Sequence, residues 1–122
     1  MISSYVIAES MRAGSSIEGV PLSLTKVERY AVSSATADQP GEWTLIHFEF
    51  EDGELERVIS ALAGVLKEEG GWYTEVTLAE EKIVIFAGKV FRYASGDATA
   101  RAEAQAHGRE HGVPESQLDW SE

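Results

Sequence analysis

Residues 107–111 read His-Gly-Arg-Glu-His. In this H-x-x-E-H spacing two imidazoles one helical turn apart can bind zinc while the glutamate serves as general base. Glu103 falls a further turn back on the same face. A zinc centre needs a third protein ligand, and downstream it would have to be Glu115, Asp119 or Glu122. Against this chemistry stand the motif's place in the last turn of a helix and Gly108, which weakens the helix inside it. The chain is also too small to build a protease cleft around the motif. Histidine near a helix C-terminus is favoured by the macrodipole alone. The expectation is no bound metal and no cofactor. The alternative is a small metal-dependent hydrolase using His107, Glu110 and His111.

Other candidate chemistry is thinner. His47 sits between Leu45 and Glu49 on one strand face and reads as a surface or sheet-edge histidine. Ser10, Ser60 and Ser95 lack the G-x-S-x-G context that exposes a nucleophile. The carboxylate pairs Glu49/Glu51, Glu68/Glu69 and Glu80/Glu81 fall at turns and helix ends, where acids are solvated. Gly70-Gly71 has neither the spaced glycines nor the trailing lysine of a phosphate loop. The aromatic set is more informative. Trp72, Tyr73, Phe86, Phe91, Tyr93 and Trp120 all fall in the second half, near Arg92. Most belong in a core. Trp72, Tyr73, Arg92, Tyr93 and Trp120 are candidates for an exposed sheet face of the kind protein interfaces use.

These residues sit in a chain of 122 residues, 43% hydrophobic and 25% charged. That is one domain's worth of ordinary globular composition. No apolar run approaches the roughly 18 residues of a membrane span. Ten basic and 21 acidic side chains give a net charge of −11, which repels nucleic acid and anionic lipid. Residues 1–48 carry five acids and three bases, against sixteen and seven in residues 49–122. There is no cysteine, so disulfides and thiol chemistry are excluded. Met1-Ile2-Ser3-Ser4-Tyr5 has no basic n-region and does not read as a secretory signal. A cytoplasmic location is expected.

The elements follow from periodicity. Ser4 to Ser10 reads as a short strand. Val20, Leu22 and Leu24 alternate as a half-buried strand, and Val27 falls out of phase, which places a β-bulge near Thr25–Lys26. Trp43 to Phe50 is a strand with Ile46, Phe48 and Phe50 on one face. Leu55, Val58, Ile59, Leu62, Val65 and Leu66 form a helical stripe, with Asp52 as N-cap and Gly70-Gly71 as the stop. Trp72 to Leu78 alternates. Lys82 to Ala87 is almost wholly apolar, as a strand covered on both faces would be. Gly88-Lys89 reads as a II′ hairpin turn, or Gly88 marks a bulge in one long strand. Asp97 opens a second helix from Ala98 to about His111, ended by Gly112, and Pro114 opens a short terminal turn. The order predicts a single two-layer α+β domain over residues 1–122. It has antiparallel meanders, two main helices on one face and a short C-terminal helical turn.

Gly71-Trp72-Tyr73, Val84 through Tyr93, Gly96-Asp97, Gly112-Val113-Pro114-Glu115 and Gln117-Leu118-Asp119-Trp120 form a string that resembles a group of small uncharacterised bacterial proteins. The resemblance covers residues 71–120 well and the first half loosely. It implies a bacterial, cytoplasmic protein and transfers no catalytic residue. The reading is a non-enzymatic binding or protein-interaction module. Its partner is expected to be a further copy in a homo-oligomer, a homodimer being the simplest, or a basic protein met through the acidic surface.

Overall fold

The computed structural model describes residues 1–120. Strand β1, Ile2–Ile7, runs into a 3-10 turn at Ala8–Ser10. Strands β2 (Ser23–Ala31) and β3 (Glu42–Phe50) precede helix α1, Leu55–Val65. Three short strands follow: β4 (Thr74–Thr77), β5 (Glu81–Phe86) and β6 (Lys89–Ala94). Helix α2, Ala98–Glu110, and a 3-10 turn over Glu115–Gln117 complete the order. The α+β class, the antiparallel pairing and the terminal turn are as the sequence predicts.

The strands form two antiparallel sheets, ordered β1-β3-β2 and β4-β5-β6. Strands β1 and β4 lie side by side where the sheets meet. Side-chain hydroxyls tie them: Ser4 Oγ donates to the Glu75 carbonyl at 2.9 Å and Thr74 Oγ1 to the Tyr5 carbonyl at 2.5 Å. One core crosses this seam. It joins Val6, Phe48 and Phe50 to Val76, Ile83 and Ile85, under Val58, Ile59 and Leu62 of α1. Burying a side chain such as Leu62, 1% exposed, contributes about 1.5–3 kcal/mol.

The helix placement differs from the sequence expectation. Ile83 and Ile85 of β5 pack on the α1 side, whereas Val84 and Phe86 pack with Ala104 of α2, Val113, Leu118 and Trp120. The helices therefore cover opposite faces of the second sheet and do not share one. Strand alternation is the cause, because successive side chains leave on opposite faces and both sets are large and apolar. A third cluster, of Ile7, Trp43, Leu45 and Trp72, lies on the far face of the first sheet from α1.

Several local signals hold and others shift. The register of β2 against β3 slips between Leu24 and Lys26, which is the bulge. Residues 81–94 form a hairpin, yet its two loop residues are Ala87-Gly88, and the positive φ falls on Gly88 at +67°, as at the second central position of a type II turn. Asp97 caps α2, accepting from Ala100 N at 3.1 Å. Asp52 caps nothing and instead pairs with the Met1 ammonium at 3.1 Å. Helix α1 stops at Val65, before Gly70-Gly71, because Leu66 swings out to form a β-bridge with Met11.

The segment from Val113 to Trp120 is held down. Trp120 is 4% exposed and meets Tyr73 edge-on at 5.3 Å between ring centroids. Arg101 Nε donates to the Trp120 carbonyl at 2.6 Å, and Gln105 Nε2 to the Leu118 carbonyl at 2.7 Å. Gly108 makes room for this segment, since a Cβ there would fall 2.9 Å from Leu118 Cδ2. Trp120→Ala should therefore lower unfolding stability by about 3–5 kcal/mol. Chemical denaturation measures this; a loss under about 1 kcal/mol would show that the segment does not clamp α2.

Candidate functional site

The H-x-x-E-H residues do not converge on a metal. His107 and His111 stack face to face, with ring centroids 4.0 Å apart and planes inclined by 23°. A metal lies close to the plane of each imidazole that binds it, about 2 Å from the nitrogen. Two planes so nearly parallel share no such point within reach. His111 Nδ1 already donates to the His107 carbonyl at 2.8 Å, and Glu110 is exposed. Among the described residues no group of three or more His, Asp or Glu is placed to hold a metal ion. Glu115 is committed to Arg109, and Glu122 lies outside the described residues.

His107 instead extends an aromatic cluster, with Phe86 at 4.5 Å and Phe91 at 5.1 Å. Burial, then the neighbouring His111 charge, holds its pKa below the ordinary histidine value. Lys67, Glu68, Trp72, Phe86, His107 and His111 line a cleft of about 250 Å³. None of its lining residues is a serine or threonine, so it has the imidazoles of a hydrolytic site without a hydroxyl nucleophile. Lys67 is spent on the Glu9 carbonyl, at 2.9 Å.

The expected aromatic face is inside the molecule. Trp72, Tyr93 and Trp120 are each 5% exposed or less. Tyr73 is half-buried and donates to the Gln117 carbonyl at 3.1 Å; burial pushes its phenol up to about 12. Arg92 leaves β6 on the other face. There it forms a fork with Glu81, at 2.8 and 3.0 Å, and reaches Glu56 of α1 at 2.7 Å. That guanidinium holds the Glu81 carboxyl below the ordinary range. The five residues thus form no common surface, because α2 and the terminal turn cover the face the pattern left open.

Apart from Met1, the large exposed apolar side chains lie elsewhere. Leu24, Val27 and Tyr30, at 66%, 60% and 44% exposed, all belong to β2. Every residue of this strand except Glu28 is exposed. Strand β2 ends its sheet, so one row of its backbone N–H and C=O groups faces outward without a ladder partner. Its inner side is held to β3 by side chains as well. Glu28 takes the His47 Nε2 at 2.9 Å and Lys26 at 3.0 Å. Arg29 reaches Glu9 at 3.1 Å and the Thr44 hydroxyl at 2.7 Å. The Lys26 contact, then His47, lowers the Glu28 carboxyl pKa. Alternation had marked this strand as half-buried; the charges Lys26, Glu28 and Arg29 within nine residues are the signal of an edge.

No protein-family model, curated protein or solved structure matches the chain. No helix among the described residues is long and apolar enough to cross a membrane.

Two outcomes follow from the histidine geometry. Protein purified without a His tag and dialysed against a weak chelator should hold zinc well below one per chain by elemental analysis. Stability should also fall on acidification through 6.5, the ordinary histidine value, because the unfolded chain takes a proton that folded His107 resists. The lowered carboxylates Glu9, Glu28, Glu81 and Glu115 act in a separate window, from 4.5 downward. Melting temperature against pH should thus be flatter between about pH 7.5 and 5.5 in His107→Gln than in the parent. Parallel curves would show that His107 titrates as it does in the unfolded chain.

Proposed function

We propose that the protein is a non-enzymatic interaction module that docks an extended segment of a partner protein along the free edge of β2. The observation that carries this reading is the concentration of exposed apolar side chains on one edge strand. Most solvent-facing strands hide such groups or blunt them with bulges and charge. This one has a bulge and three charges, yet it keeps Leu24 and Val27 open to water on the face that bears Phe48. Strand addition suits such an edge: main-chain hydrogen bonds supply affinity, and alternate side chains supply selectivity.

The other free edge is less suited. Strand β6 has six residues and is packed by both helices. The cleft that holds the imidazoles offers no serine or threonine to act as a nucleophile, which favours a binding role over an enzyme. The cysteine-free composition fits a module working in the cytoplasm.

A photo-crosslinking residue placed at Val27 in cells tests the reading. A discrete adduct should form, mapping by mass spectrometry to an extended stretch of the captured protein. The same reporter at Lys89, on β6, should give none. Equal labelling at both positions, or none at Val27, contradicts docking at β2.

A further inference from the structure

Resting on that reading, we infer that the segment that pairs with β2 is β2 of a second copy, antiparallel, with a two-fold axis at Val27. The argument is one of register. In an antiparallel pair related by a two-fold axis, the residue at the centre faces itself, and its neighbours face each other in reciprocal order. Centring on Lys26, Glu28 or Arg29 would set like charges directly opposite, which destabilises a pair. Centring on Thr25 falls on the bulge, centring on Leu24 or Tyr30 leaves a single strand residue beyond the axis, and centring on Ser23 or Ala31 leaves none.

Val27 is the remaining centre, and it is complementary. It sets Lys26 of each copy, paired within its own strand to Glu28 at 3.0 Å, against Glu28 of the other, so that two ammoniums and two carboxylates alternate in one cluster on one face. On the opposite face it brings the two Val27 side chains together. The bulge returns Leu24 to the face of Val27, so it flanks that contact. Arg29, engaged within its own chain by Glu9 and Thr44, comes opposite uncharged Thr25. The wider charge distribution agrees. Two chains of net charge −11 repel, but sixteen of the 21 acids lie in residues 49–122. Strand β2 stands at the far end of the strand row from β5 and β6. This edge is therefore where two copies approach at the least electrostatic cost.

Sedimentation velocity on the full chain over a concentration series tests this, using the parent, Lys26→Glu and the double variant Lys26→Glu/Glu28→Lys. The parent should pass from monomer to dimer. Lys26→Glu sets a second carboxylate against Glu28 at both symmetry-related contacts and should weaken dimerisation by about tenfold or more. The double variant rebuilds the two pairs with reversed sign and should recover the parent's dimer. Glu28→Lys also removes the His47 contact within the chain, so melting temperatures check that each monomer is folded. A parent that stays monomeric to about millimolar concentration overturns self-pairing, as does a dimer that Lys26→Glu leaves unchanged or the double variant fails to restore. If the parent is monomeric while Val27 crosslinks to a different protein in cells, self-pairing fails and docking at β2 stands. If no adduct forms either, both fail.

Discussion

Ile83 and Ile85 leave β5 on one side, Val84 and Phe86 on the other, and none is more than 2% exposed. A strand so apolar on both faces cannot lie on a molecular surface, and the rest of the domain is arranged to cover it. Helix α1 covers one side with the large side chains of its stripe. Helix α2 has no such stripe. It approaches through Ala104 and Gly108, and the aliphatic and aromatic bulk on that side comes from Val113, Leu118 and Trp120 beyond its end. The Ala-rich helix and the apolar terminal segment are thus two parts of one lid.

This division explains what the sequence disclosed. The Lys82–Ala87 run correctly announces a strand covered on both faces, which is incompatible with two helices on one face. The element order alone does not settle the conflict, because a helix with a weak apolar stripe does not show which layer it serves. Gly108 reads in sequence as a flaw in a metal-binding helix; in space it is where Leu118 enters. The imidazoles of the H-x-x-E-H string have the spacing for a shared ligand, but spacing fixes only the side of the helix and leaves ring orientation to the neighbours. Here those neighbours are Phe86 and Phe91, and they favour stacking.

The first sheet was the less legible half. The bulge near Thr25 is visible as a break in alternation, and its position is right. Exposure is not visible, because an edge strand over a covered partner and a truly half-buried strand share the same period. What separates them is how the loop before β2 packs. Val20 and Leu22 lie against the α1 core, whereas Leu24 and Val27 extend past it. The apolar pattern thus runs continuously from a half-buried loop into an open edge.

The seam between β1 and β4 brings the two sheets together without a backbone ladder between them. Hydrogen-bonded ladders and apolar contact respond differently to temperature, since apolar association near room temperature is entropic and weakens on cooling. Across this seam lie two hydroxyl bonds and a shared apolar core. Within each sheet the strands are joined along their length. Cold therefore acts on the joint between the sheets more than on the sheets themselves, and chilling loosens the molecule along a line that its strand pairing leaves unsewn.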